Sequence, residues 1–189
     1  MKLVVIGNRR DIETAIRNAL LMFSDGTVIE NPRFQYKIDR GQGFSASRRF
    51  TNVSSDGSVS MLLENPSGST ATIYLILAEV ATFASAWIDV YRGVEWSGGD
   101  AVPIMNLDLG SGAQSVARAV ANPTWSGGEK AHETVCPGGT TRRAIGSAVE
   151  IGETVKIPPG NSILVVVTNK SSASQDLSIR FLWWEDPLT

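Results

Sequence analysis

Histidine and cysteine are nearly missing from this chain of 189 residues, which has one of each, His132 and Cys136. A lone cysteine excludes an intramolecular disulfide framework. A lone histidine means that any Ser-His-Asp or Cys-His machinery would have to run through His132. Charge is scarce too: charged residues make up 19% of the chain and the net charge is −2, so nothing draws the whole molecule towards nucleic acid or an anionic membrane. The basic pairs Arg48-Arg49 and Arg142-Arg143 read as solvated strand or loop positions and not as a phosphate track. No internal repeat is visible. The apolar run in MKLVVIGNRR is too short, and too soon followed by charge, for a signal peptide. The stretch from Ile73 to Tyr91 reaches membrane-spanning length, but it carries Glu79 and Asp89 and alternates, so it reads as a hairpin. These absences lead us to expect a soluble product, intracellular unless it is carried in a larger particle.

What is present is the pattern of β-structure. The apolar fraction of 42% is ample for one core, and 18 glycines with abundant Ser and Thr suit short strands and many turns. The clearest segment is VEIGETVKIPPGNSILVVVTNKSSASQDLSIRFLWW, from Val149 to Trp184. Ile163, Val165 and Val167 alternate with Ser162, Leu164 and Val166; Leu177, Ile179, Phe181 and Trp183 alternate with Ser178, Arg180 and Leu182. Period-two burial on both sides of a polar turn predicts two strands paired as an antiparallel hairpin inside a sheet. Trp183 and Trp184 face opposite sides, one entering the core and the other meeting a second layer or a neighbour.

Further strands are predicted over Phe44–Val53, ended by the turn Ser54-Ser55-Asp56-Gly57, and over the segment of Val59, Met61 and Leu63, ended by Asn65-Pro66-Ser67-Gly68. Two longer ones cover Thr72–Val80 and Phe83–Tyr91, with Trp87, Asp89 and Tyr91 on one face and Ile88 and Val90 on the other. The region from Gly93 to Gly146 reads as part strand and part exposed, partner-stabilised loop, since a structureless stretch of that length is rare in a compact domain. Strands at intervals of roughly ten residues predict an all-β, jelly-roll-like sandwich over residues 34–189. Residues 1–33 differ and are expected to form an arm: a short strand at Leu3–Ile6, then an amphipathic helix from Asn8 with Ile12, Ala15, Ile16, Ala19, Leu20 and Phe23 at helical spacing. One strand followed by one helix invites a dinucleotide-fold reading. It is rejected because Gly7-Asn8-Arg9-Arg10 lacks the glycine fingerprint and no further alternation follows.

No catalytic constellation stands out. Ala131-His132-Glu133-Thr134-Val135-Cys136 has the order of half a zinc signature, but no other His or Cys completes the ligand set, and Pro137-Gly138-Gly139 argues against the helix such a site needs. Carboxylates such as Asp89, Glu95, Glu150, Glu153, Glu185 and Asp186 could be paired on paper, as in most sequences, and so discriminate nothing. Gly98-Gly99-Asp100 and Asp56-Gly57 are turn chemistry. Asn52-Val53-Ser54 and Asn169-Lys170-Ser171 match glycosylation sequons without a secretory context. Trp96 and Trp125, each followed by Ser-Gly-Gly, are expected on exposed loops, as anchors of subunit contacts or as platforms for sugar rings. We expect no enzyme, no cofactor and no metal.

Three blocks carry a resemblance: FSASRRFTNVSSDGSVSMLLENPSGS, AWIDVYRGVEWSGGDAVPIMNLDLGSG and IPPGNSILVVVTNKSSASQDLSIRFLWWED, which together cover most of Phe44 to Glu185. In order and spacing the chain resembles small β-sandwich structural proteins of tailed-bacteriophage virions, of the capsid decoration, cement or head-fibre type. The resemblance implies a non-catalytic virion component, made in the host cytoplasm, that binds capsid or other virion subunits and self-associates; three-fold lattice positions make a homotrimer the expected unit. Ile12, Ile16, Leu20, Phe23, Trp96, Trp125 and Trp184 are the interface candidates, with the N-terminal helix as a docking arm. The alternative is a carbohydrate-binding module or receptor-binding appendage using Tyr91, Trp96 and Trp125. Neither reading involves nucleic acid or membrane.

Overall fold

A computed structural model describes residues 21–22, 28–29, 33–137, 148–149 and 155–188. Two antiparallel sheets pack face to face as an all-β sandwich. Eight segments carry it: seven long strands, β3 (Gly43–Val53), β4 (Ser58–Asn65), β5 (Ala71–Thr82), β6 (Ala86–Ser97), β10 (Thr124–Cys136), β13 (Asn161–Asn169) and β14 (Gln175–Pro187), and one short pair, β11 (Ala148–Val149) and β12 (Val155–Ile157). Between β6 and β10 lie three short strands, β7 (Asp100–Ala101), β8 (Ile104–Asn106) and β9 (Arg118–Ala121). The first sheet runs β10-β6-β13-β4-β9-β7. The second runs β11-β5-β14-β3-β8, with β12 also on β5. Pairing is nested: β3 with β14, β4 with β13, β5 with β12, and β6 with β10. Such nesting is what a hairpin makes when it is rolled up on itself, the jelly-roll arrangement.

The core is the set of inward residues that alternation picks out. Val59, Met61 and Leu63 from β4 and Ile163, Val165 and Val167 from β13 meet Leu177, Ile179, Phe181 and Trp183 from β14. Trp183 is fully buried, with its ring centroid 6.1 Å from that of Phe44. On β5 the phase of burial changes: Ile73 and Leu75 point in, then Ala78 and Val80, because the register slips beside Leu182/Trp183 and leaves Ile76 as an extra residue. Glu185 lies at the end of the core. It accepts hydrogen bonds from Trp183 Nε1 at 3.1 Å, from Val116 N at 3.0 Å and from Ser115 Oγ, so it ties the strap between β8 and β9 to the last strand.

Two expected hairpins are not hairpins. β13 and β14 lie in opposite sheets, as do β5 and β6, so the turns 170–174 and 83–85 cross from sheet to sheet. Alternation says which face of a strand is buried and is silent on which strand it pairs with. Each of β13 and β14 is nonetheless an interior strand of its own sheet. A crossing turn lacks the ladder bonds of a hairpin, so its buried backbone groups need other partners. Asn169 supplies them. Its Nδ2 donates to the carbonyls of Val53, Ser54 and Ala173 at 2.8–3.1 Å, and its Oδ1 accepts from Ser171 N and Gln175 Nε2. Gln175 in turn accepts from Phe83 N and Ala84 N and donates to Ser85 O. Three crossing turns at one end of the sandwich are thus held by two side-chain amides. At the other end, buried Asn65 donates to Ala71 O and Ile157 O. The sequon at Asn169 is consumed by this structure.

The N-terminal expectation changes in part. The residues Ile12, Ile16, Leu20 and Phe23 lie outside the described residues. Leu21 and Met22, near the expected end of the helix, form instead a two-residue strand (β1) antiparallel to Val28–Ile29 (β2). A helix that sequence reading placed among strands and turns, α1 (Arg33–Ile38), follows. Six residues are too few for a helical period to show. Gly41, at φ 67°, stops it, with Gly41 N bonding Ile38 O and Gln42 N bonding Lys37 O. Phe34 faces Trp184 at 6.3 Å between centroids, and Lys37 pairs with Asp186.

Replacing Asn169 by alanine leaves several buried carbonyl and amide groups without partners. We expect a loss of about 3–5 kcal/mol, read as a fall of roughly 10 °C in Tm. Asn169→Asp keeps the shape but turns a donor into an acceptor facing three carbonyls, and should be no better tolerated. A Tm within two or three degrees of the unmodified chain for either variant would show that the turns hold themselves.

Candidate functional site

The outer face of the first sheet is the most differentiated surface of the molecule. Cross-strand neighbours stand side by side on one face of a sheet, so the register writes that face out in rows. The first row is Val135, Trp87, Thr168 and Ser58, in which Ser58 and Thr168 share a 2.8 Å hydrogen bond. The second is Glu133, Asp89, Val166 and Ser60, and the third is Lys130, Tyr91, Leu164 and Leu62. β10 contributes the outermost member of each row. It is an edge strand with thirteen residues, nearly all exposed, a register slip between Lys130 and His132, and alternating charges. Charge and a bulge are common devices against unwanted strand pairing.

The third row is covered. Pairing of β6 with β13 ends at Arg92, and beyond it β6 and β10 continue as a two-stranded ribbon in which Trp96 stands opposite Trp125. The ribbon packs Val94, Trp96 and Trp125, with Tyr91, over Leu62 and Leu164, which are fully buried although they point away from the main core. The centroids of Tyr91 and Trp125 are 4.8 Å apart. Gly93, Gly127 and Gly128 all have positive φ, and Gly98-Gly99 at the tip do as well. A Cβ on Gly128 would fall 2.6 Å from Val94 Cγ1, and one on Gly99 would fall 2.7 Å from Val120 Cγ1 and 2.8 Å from Ala121 O. The two Trp-Ser-Gly-Gly motifs are therefore one device: a bent ribbon strapped across the sheet to β9. Trp96 and Trp125 are half-buried strand residues and not loop platforms, and their stacking surface is turned onto the protein itself. Trp184 is also taken up internally, buried with its ring 5.2 Å from Tyr74 in a near-parallel stack.

The upper rows are open. Trp87 keeps 53% of its surface exposed, and Val135 beside it 60%. Asp89 and Glu133, two carboxylates directly opposite one another, would repel. Lys130 resolves this by donating to Asp89 Oδ1 at 2.9 Å and to Glu133 Oε2 at 3.3 Å. The bond to Asp89 first, and that to Glu133 second, hold the Lys130 ammonium protonated more firmly than an ordinary lysine. Lys170 Nζ sits 4.2 Å from the Trp87 ring centroid and is held by Asp56 at 2.6 Å. Sequence reading put Trp87 and Asp89 on a shared face. It did not single them out, because a strand face looks the same in sequence whether it is covered or open.

His132 and Cys136 are not brought together. On a strand, four residues separate them by about 13 Å; His132 is exposed on the edge, while Cys136 is buried and accepts from Thr82 Oγ1 at 3.0 Å. Among the described residues no three His, Cys, Asp or Glu side chains are grouped to hold a metal, and no helix is long and apolar enough to cross a membrane. The chain matches no protein-family model, and no curated protein is similar to it.

The strap makes its own prediction. Gly98→Ala adds a Cβ in open space and carries only the left-handed backbone cost, about 1–2 kcal/mol. Gly128→Ala carries a similar cost plus collision with Val94, and should be worse by about 1–3 kcal/mol in urea denaturation. Equal losses for the two would mean that the ribbon does not lie on the sheet.

Proposed function

We propose that this chain is a virion structural protein that works by binding, a capsid decoration or cement subunit that self-associates as a trimer. The observation that supports it most is the likeness of the three sequence blocks to that class of protein. Those blocks fall on β3 with β4, on β6 with the strap beyond it, and on β12 to β14, which are the elements that pair to make the sandwich. A rigid block with locked turns suits a reinforcing role, since binding to a lattice then costs little ordering of the binder.

The contact surface we assign is the lateral edge opposite β10. There β8 ends the second sheet and carries Met105, and the segment following it carries Leu109; the two are exposed to 52% and 85%. Large apolar side chains left this bare are candidates for a protein partner. The arm with Ile12, Ile16, Leu20 and Phe23 is the second proposed contact.

The test is solution mass and co-sedimentation with the shell encoded by a neighbouring capsid gene. A trimer that decorates the shell is expected. Deleting residues 1–23 should weaken attachment while circular dichroism and Tm stay those of the sandwich, and Leu109→Asp should weaken it at least tenfold, about 1.4 kcal/mol. A strictly monomeric protein that binds no capsid lattice at high concentration would sink the proposal.

A further inference from the structure

Of the five tryptophans in the chain, Trp87 alone has more than half of its surface in solvent; Trp183 and Trp184 are buried, and Trp96 and Trp125 lie half-buried in the strap. The ring is also fixed. Lys170, itself tied to Asp56, sits over it at 4.2 Å, and Val135 flanks it across the strand pair. Beside the ring is a depression of about 510 Å³ lined by Trp87, Asp89, Lys130, Glu133, Thr134 and Val135. That lies within the size range of small-ligand sites, roughly 300–1,000 Å³. Lys170 is not among the residues that line it.

From this geometry we infer that the depression is a binding site for a neutral pyranose at the end of a saccharide chain. One face of a pyranose is made of C–H groups, which lie well against an indole; its rim is made of hydroxyls, each both donor and acceptor. The lining has the matching order. Trp87 and Val135 give an apolar floor. Asp89 and Glu133 each use one carboxylate oxygen on Lys130, which leaves a second oxygen on each as an acceptor for hydroxyl donors. Lys130 and Thr134 can donate to hydroxyl oxygens.

Two carboxylates against one ammonium in the lining disfavour an acidic sugar, so the site selects neutral over anionic residues. A protein partner fits less well. Stable protein contacts cover about 800 Å² on each side with a charge-depleted centre, and here three charged side chains stand beside the ring. The site differs from the sugar platform expected at Tyr91, Trp96 and Trp125, which the strap closes. It is independent of the capsid proposal and lies on the opposite lateral edge.

Saturation-transfer NMR on the full chain tests it, using methyl glucoside, methyl galactoside, methyl mannoside and N-acetylglucosamine with their β-linked disaccharides, and glucuronate as the acidic control. Transfer to at least one neutral sugar at about 10 mM is expected, as weak single-residue sites bind in the millimolar range. Trp87→Ala should weaken it at least tenfold, Trp87→Phe should keep part of it, and Trp125→Phe should leave it unchanged. Unaltered Tm in Trp87→Ala shows that the loss is not unfolding. Silence from the whole panel, binding that survives Trp87→Ala, or glucuronate binding as well as the neutral sugars overturns the assignment. So does a change in solution mass caused by Trp87→Ala, which would make the patch a contact between copies of the chain.

Discussion

The amide of Asn169 is the contact on which one whole end of this molecule depends. Among the eight segments of the rolled arrangement, every step but that from β6 to β10 leads to the other sheet, so most connections must bridge the thickness of the sandwich, about 10 Å. A bridging turn cannot satisfy its backbone by continuing a ladder. Asn169 and Gln175 replace the ladder with side chains, and because they also bond each other, the turns after β3, β5 and β13 are held in one network. Networks of buried polar groups strengthen when complete and weaken sharply when one member is lost. Asn65 plays a smaller part at the far end. Between these two ends the apolar core needs only the right alternation and volume.

The strap shows a second use of the same economy. A sheet face exposed to water is ordinarily polar, yet Leu62 and Leu164 sit opposite each other on the outside of the first sheet. They are tolerated because the β6–β10 ribbon bends back over them at glycines whose conformations a side chain would resist. One outer face is therefore divided. Its lower part is a small core of its own, and its upper part, with Trp87, Asp89, Lys130 and Glu133, stays open. The division leaves a fixed aromatic ring next to charged groups.

Much of the architecture was readable beforehand, and the gaps have physical causes. The spans of β3, β4, β13 and β14 and the burial of Trp183 follow from alternation, which is local. Strand partners do not, since pairing is decided over more than a hundred residues. The turn after Asn169 has no glycine of the kind that tight hairpins favour, and this was a usable hint that it crosses. Leu164, lying on the polar face of its own strand, was another: an apolar residue out of phase signals a second covering layer. The places of Trp96 and Trp125 differ from expectation because Ser-Gly-Gly after a tryptophan reads as loop, whereas here the glycines bend strands. The short helix α1 gave no periodic signal at all. The arm residues Ile12, Ile16, Leu20 and Phe23 fall outside the described structure.

Nested pairing also governs how such a chain must acquire its shape. β3, the first long strand, has β14, the last, as its neighbour, and β14 lies between β3 and β5 in the middle of its sheet. As the polypeptide leaves the ribosome, β3, β4 and β5 emerge with their partners still unmade. The second sheet cannot close until the residues of Gln175–Pro187 have been synthesised, and the first must wait for Asn161–Asn169. Distant pairings of this kind make folding slow and leave unpaired edges exposed in the interval. A fragment cut short before Gln175 would lack the central strand of one sheet and the far half of the Asn169 network at once. The molecule is in this sense proofread by its own topology: only complete chains become the rigid block, and incomplete ones remain open strands.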